Sequence, residues 1–211
     1  MTIDVASHLG AVRRSVRSLE RDGKPMRAVI LERSYDTDID DLWDAVTNPE
    51  RIPRWFLAVE GDLKPGGRYQ LKGNAGGTIT DCEPPVHLGL TWEMMGQVSW
   101  VEVRLAREAA QRTRFTLTNT APLSDFWTQY GPGAVGVGWE GGLLGMALYL
   151  AAPDAPKVDE MAFGMSPEGK RFNTGSSEAW GEAAIAAGED PEVARAAVRA
   201  TTAFYTGEPA G

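Results

Sequence analysis

Cysteine and histidine are the scarcest reactive side chains in this sequence: one cysteine, Cys82, and two histidines, His8 and His87. Cys82 and His87 lie on what read as successive strands, a spacing that could bring a thiol near an imidazole base, as nucleophilic catalysis requires. No Gly-x-Ser-x-Gly motif accompanies them. The preferred reading is a small, buried-type thiol beside an exposed histidine. Glu60, Glu93 and Glu140 are candidates for the paired carboxylates that glycoside chemistry sets about 5–10 Å apart in a cleft. Gly131-Pro132-Gly133-Ala134-Val135-Gly136 spells G-x-G-x-x-G. A dinucleotide fingerprint, however, needs a preceding parallel strand in a βαβ unit, and an antiparallel pattern precedes this one. Gly164 to Lys170 follows a phosphate-binding loop for seven positions, but Arg171 stands where the magnesium-binding hydroxyl belongs.

Composition narrows the chemistry further. One cysteine and two histidines provide no disulfide framework, no thiolate-only site and no multi-histidine centre, so no metal is expected. The acidic run Asp36-Thr37-Asp38-Ile39-Asp40 reads as a helix start, because a calcium loop would need Gly at its sixth and Glu at its twelfth position. No cofactor is expected either. A formal charge of −8 argues against non-specific binding to nucleic acid or acidic membrane. No apolar run near the roughly 20 residues of a membrane span is expected, nor a signal segment, which makes the cytoplasm the default compartment. Seven tryptophans and 24 glycines stand out in 211 residues. Tryptophan is large and its indole N–H wants a partner, so seven imply an aromatic core or an aromatic-lined cavity.

Three segments follow from the patterning. Residues 1–24 read as an amphipathic helix, with Val5, Leu9, Val12, Val16 and Leu19 in one stripe and Asp22-Gly23-Lys24-Pro25 as its stop. Residues 25–150 form the main domain. It opens with a strand over Arg27–Tyr35 and a helix start at which Thr37 and Asp40 have capping-box spacing. A short turn between Pro49 and Pro53 follows, and then period-two strands punctuated by turns up to about Asn119. Trp127 falls in a connecting loop. A long apolar helix carries Val135, Trp139, Leu143, Met146 and Leu150, with Gly136, Gly138, Gly141, Gly142 and Gly145 inside it. Each glycine costs about 1 kcal/mol relative to Ala there, which calls for close backbone packing or room for a ligand. Residues 151–211 read as a linker and a helical hairpin, its first helix opening at Ser176-Ser177-Glu178 with Thr174 or Ser176 as cap.

A strand, helical turns, an antiparallel meander and a long helix pack naturally as a curved sheet gripping that helix. The run Trp43-Asp44-Ala45-Val46-Thr47-Asn48-Pro49-Glu50, then Trp55-Phe56, resembles the START-related helix-grip (SRPBCC) superfamily, in the branch similar to activator of heat-shock protein 90 ATPase. Pro65-Gly66-Gly67-Arg68-Tyr69, Gly77, Pro84, Leu88, Thr91-Trp92-Glu93 and Gly138-Trp139 continue the resemblance in order across residues 28–150. It implies an α+β helix-grip fold, a curved antiparallel sheet around a long C-terminal helix, and an internal apolar cavity; the patterning adds the extra N- and C-terminal helices. It carries over no catalytic set.

The expected function is non-enzymatic binding of a small hydrophobic or aromatic molecule between sheet and long helix, in a chaperone-assisting or stress-related role. The lining candidates on the early helices and strands are Trp43, Trp55, Phe56, Tyr69, Trp92, Trp100 and Phe115. Those on the long helix are Trp139, Leu143 and Met146. Arg33, Glu93, Arg104 and Glu140 are candidate polar anchors. Two alternatives stay open: a cavity enzyme of cyclase, dehydratase or hydrolase type, and an interaction module meeting a protein partner or a second copy through its terminal helices.

Overall fold

The structure is a computed structural model and describes residues 3–208. In chain order the helices are α1 (Val5–Gly10), α2 (Ile39–Thr47), α3 (Asp125–Tyr130), α4 (Gly133–Ala151), α5 (Glu160–Met165), α6 (Pro167–Ala186) and α7 (Pro191–Thr206). The strands are β1 (Arg13–Arg21), β2 (Lys24–Tyr35), β3 (Val59–Gly61), β4 (Arg68–Leu71), β5 (Gly76–Glu83), β6 (His87–Met94), β7 (Gln97–Ala109) and β8 (Arg112–Pro122). They form one curved antiparallel sheet in the order β1-β2-β8-β7-β6-β5-β4-β3, and the fold is an α+β helix grip. Contacts group the chain into two compact units. One holds the chain up to Leu31, Pro122–Leu144 and everything from Val158; the other holds Glu32–Ala121 and Gly145–Lys157. Boundaries at residues 24 and 150 therefore do not separate these units, because β2 and α4 each run from one into the other. Residues 1–2 and 209–211 of the two terminal segments lie outside the described residues.

The first unit overturns the helix expected over residues 1–24. Only the six residues of α1 are helical, and Arg13–Arg21 is a strand. Asp22 and Gly23 take positive φ values of 52° and 72°, the backbone of a two-residue hairpin turn joining β1 to β2. In a strand Val12, Arg14 and Val16 share a face, so Arg14 points inward instead of lying off an apolar stripe. Its guanidinium donates to both carboxylate oxygens of Glu140 on α4, at 2.6 Å each, and to the carbonyls of Val12 and Leu9. The Glu140 side chain is wholly buried.

The helices of this unit begin at good caps. Ser166 accepts from the Gly169 N–H, and Pro167 fills the first position of α6. The helix thus starts well before Thr174 and Ser176, and the Gly164–Lys170 stretch is the corner between α5 and α6. Asp190 caps α7 by accepting from Glu192 and Val193. Trp127 lies in α3, capped by Ser124, and not in a loop. α4 is long and apolar enough, by length and composition, to cross a membrane. The expectation of no such run is corrected: alanine and glycine extend the apolar stretch across both sides of Glu140.

In the second unit Asp38, not Thr37, caps α2, accepting from the N–H groups of Asp40 and Asp41. Thr37 instead donates to Asp41, and its carbonyl accepts from the buried Thr113 hydroxyl on β8. Arg51, just before a 3-10 turn at Ile52–Arg54, ties α2 to the end of α4. Its Nη1 donates to Asp41 at 2.8 Å and Asp44 at 2.9 Å, and its Nε to the Tyr149 hydroxyl at 2.9 Å. The Arg51 hydrogen bond holds the Asp44 carboxyl below the ordinary aspartate value of 3.8.

Two outcomes follow. Glu140→Ala strands the buried Arg14 charge and should lower unfolding free energy by about 3–5 kcal/mol in urea titrations, with Arg14→Met/Glu140→Leu recovering most of it. Arg51→Met should cost about 1–3 kcal/mol near neutral pH. A depressed carboxylate stabilises above its unfolded pKa and loses that contribution as pH falls through its folded pKa. The gap between wild type and Arg51→Met should therefore narrow when the titration is repeated at about pH 3.

Candidate functional site

Alternation along a strand sends successive side chains to opposite faces, and directly paired residues share a face. The register of β4–β8 therefore sorts this sheet. One face carries Tyr69 and Leu71 on β4, Ile79 and Cys82 on β5, and Leu88, Leu90 and Trp92 on β6. Leu88 and Leu90 pair with Val103 and Val101 on β7, which pair with Leu117 and Asn119 on β8. Leu105 pairs with Phe115, whose ring meets Tyr35 edge-on at 6.3 Å. This is the inner face. The other face carries Thr91, Glu93, Trp100, Glu102 and Arg104.

The inner face is a graded apolar wall. Val101, Val103, Leu105, Phe115 and Leu117 are buried. Towards β4–β6 the cluster built on Tyr69, Leu71 and Ile79 is joined by Phe56, Leu57, Leu88, Leu90 and Trp92, all only half-buried. Phe56 stacks on Trp55, ring centres 5.4 Å apart, and the Trp55 indole N–H donates to the Ala45 carbonyl. The Tyr69 hydroxyl donates to the Thr91 carbonyl, and burial, then the nearby Glu93 charge, raise its pKa. Sequence reasoning passed over one polar pair in this wall: buried Asn119 donates through Nδ2 to the Ser99 hydroxyl at 3.1 Å. Ser99 in turn pairs in register with Trp92. An asparagine two residues beyond Leu117, at an inward-facing position, is the sequence signal for it.

The sequence-predicted residues divide accordingly. Phe56, Tyr69 and Trp92 meet in one cluster, and Phe115 lies further along the same face. Trp43 is half-buried on α2, and Met146 is fully buried near the end of α4. Trp100 lies on the opposite face, beside Thr91. Trp139 and Leu143 belong to the other unit, half-buried and buried respectively. Among the polar candidates only Arg33 is on the inner side, buried with its guanidinium 5.3 Å from the Tyr35 ring centre. Burial raises the Tyr35 pKa, which Arg33 partly opposes. Glu93 pairs with Arg68 at 2.8 Å and Arg104 lies 3.8 Å from Glu102, both on the outer face. Glu140 is committed to Arg14 in the first unit. These three leave the wall because strand parity and a long-range pairing, neither visible in residue type, decide where they point.

Parity also separates the thiol from the imidazole. Cys82 pairs with Leu88 on the inner face; His87 pairs with Glu83 on the outer face. Burial, then the Asp81 charge, raise the Cys82 pKa, so it is a protonated thiol at neutral pH. His87 is buried, with Nδ1 2.9 Å from an Asp81 oxygen. Asp81, Glu83 and His87 could offer donor atoms within 4.8 Å of one another to a cation, though both carboxylates are exposed. The G-x-G-x-x-G run is a packing device: Gly131 ends α3 with φ 58°, and Gly133 and Gly136 face Thr201 and Trp180.

The arrangement offers area and shape. No carboxylate points from the inner face of β3–β8, so the wall itself supplies no pair of carboxylates. Iodoacetamide should alkylate Cys82 more slowly than it alkylates glutathione at neutral pH. His87→Ala should leave that rate unchanged; a slower reaction in the variant would mean that the two side chains communicate.

Comparison with known proteins agrees with this architecture. The family model described as Activator of Hsp90 ATPase homolog 1-like protein matches residues 36–150. The crystal structure of CalU16 from Micromonospora echinospora superposes with a TM-score of 0.67 at 31% identity, covering 83% of this chain and 99% of CalU16. Its solution NMR structure gives 0.69 at 32% identity, covering 84% and 97%. DynU16, a protein of the dynemicin biosynthetic locus, matches at 0.52 and 22% identity over 63% of this chain and 50% of its own, which speaks to fold alone. Among curated proteins none matches the sequence.

Proposed function

The chain belongs to the Activator of Hsp90 ATPase homolog 1-like family, and from that premise we propose that it binds a small hydrophobic or aromatic molecule on the inner face of its sheet, without catalysing a reaction. The observation that carries this reading is the half-buried apolar wall of Phe56, Leu57, Leu88, Leu90 and Trp92 over Tyr69, Leu71 and Ile79. A core strand buries its apolar side chains; these stay accessible. Each 100 Å2 of apolar surface that a ligand covers contributes roughly 2.5 kcal/mol. Micromolar affinity therefore needs no charged anchor, which fits the ion-paired state of Glu93 and Glu140. The Ser99–Asn119 pair supplies the orienting polar contact that such sites carry.

The uncharged probe phenylnaphthylamine tests the reading. It should quench tryptophan fluorescence on binding, and Trp92→Ala should weaken it about tenfold through lost aromatic contact area. Asn119→Leu should alter which ligands bind more than how tightly the probe binds. Absence of probe binding, or equal binding by wild type, Trp92→Ala and Leu90→Asn, would sink the proposal.

A further inference from the structure

The first unit contains an open cleft of about 430 Å3 that shares no residue with the apolar wall of β4–β8. It is bounded by α3, the first turn of α4, α6, α7 and residues of β1 and β2. Small-molecule sites span about 300–1,000 Å3. A space of this size between six elements has the dimensions of such a site. Its walls are held apart by fixed contacts. The Thr201 hydroxyl on α7 donates to the Tyr130 carbonyl at the end of α3. A Cβ on Gly133 would lie 2.9 Å from the Thr201 methyl, and one on Gly181 2.4 Å from a Val198 methyl. The helices cannot approach further, and Gly181, Ala184, Ala194 and Ala197 are too small to fill what remains.

The lining states a chemistry. Trp127 and Tyr130 on α3 are half-buried and offer flat apolar surface. At the mouth Leu123 and Val193 are exposed, and Phe126 and Phe204 extend the aromatic surface from Tyr130 at 4.7 Å and 5.4 Å between ring centres. Among the described residues Arg27 is the one cation on the wall; it is half-buried and donates to the Met26 carbonyl at 3.3 Å. Glu189, in the exposed turn between α6 and α7, is the one acid among the described residues of the wall. It disfavours an anion at its own end and leaves Arg27 as the partner for one.

We propose that this cleft is a second small-molecule site, sharing no residue with the apolar wall of β4–β8, taking a planar aromatic acid whose ring lies against Trp127 and Tyr130 and whose anionic group meets Arg27. Most of its wall, from β1, α6 and α7, lies outside the stretch that the family model matches.

The test uses the full-length chain and two probes, anilinonaphthalene sulfonate and uncharged phenylnaphthylamine, followed by amide and indole NMR shifts. The sulfonate should shift the Trp127 indole N–H together with the Gly133 and Gly181 amides, and should do so equally in Trp92→Ala. Arg27→Gln should weaken the sulfonate at this site about tenfold, the effect of one hydrogen bond to a charged group, and change the neutral probe by less than about twofold. Ala197→Phe should fill the cavity and remove both sets of shifts; the Arg27→Gln comparison decides the matter if that variant does not fold. Absence of shifts at Trp127, shifts confined to Trp92 and its neighbours, or equal weakening of both probes by Arg27→Gln would each overturn the proposal.

Discussion

Everything in this fold hangs on how closely other groups come to the axis of α4. A Cβ on Gly136 would lie 2.3 Å from the indole of Trp180, and one on Gly145 2.5 Å from the Trp55 carbonyl oxygen. Neither neighbour can yield: one is a fully buried ring, the other main chain. The propensity lost at these positions, about 1 kcal/mol each, is offset by contact that no larger residue would permit. Trp180 shows how firmly the arrangement is set. Its ring is completely buried and its indole N–H finds no acceptor among the described residues, a penalty of about 1–3 kcal/mol that the packing of so large a ring outweighs. Other glycines of the helix do less. Gly141 faces open space, so the glycine content of α4 is partly packing and partly unexplained by contacts.

The Glu140–Arg14 pair adds specificity to that packing. Two opposite charges removed from water are a weak source of net stability, but either one alone is strongly destabilising. With both carboxylate oxygens engaged by one guanidinium, α4 has one rotation and β1 one register that satisfy the pair. A slip of β1 by one residue would turn Arg14 outward, and in the direction that brings Ser15 to its place would leave Glu140 buried without a cation. The same logic operates through Arg51, which demands that Asp41, Asp44 and Tyr149 converge at once.

Much of this was legible in sequence, and what was not shares one physical cause. Alternation from Arg68 to Asn119 follows from strand geometry, so the meander and its turns could be read locally. Alternation says which residues share a face, but not which face is covered; Trp100 is therefore a lining candidate, and Glu93 and Arg104 anchor candidates, in the sequence although register turns them away. The stripe from Val5 to Leu19 fits a helix, yet Asp22-Gly23 is also a hairpin signal, and tertiary pairing chose the strand. Glu140 looked like an anchor because its partner stands 126 residues away, beyond any window of periodicity. Asn119 shows the converse: its inward position was readable, while its role emerged only when β7 brought Ser99 beside it.

Strand parity also sets the character of any recognition at the sheet. It sends Asp81, Glu93, Glu102 and Glu108 outward, into contact with His87, Arg68, Arg104, Arg112 and Arg114, and on β5–β8 leaves inside mainly hydrocarbon and aromatic rings, with the Cys82 thiol and the Ser99–Asn119 pair. A wall of that kind gains affinity from area and discriminates weakly by size, since one methylene in an apolar pocket is worth about 1–3 kcal/mol. Asn119 is different. It lies buried with its amide nitrogen already used by Ser99, so a ligand covering this end of the wall must either leave that bond intact or replace it. Failure to do so strands a buried polar group at about 1–3 kcal/mol. On the proposed reading, therefore, Phe56, Leu90 and Trp92 govern how tightly a ligand is held, and the Ser99–Asn119 pair governs which ligand it is.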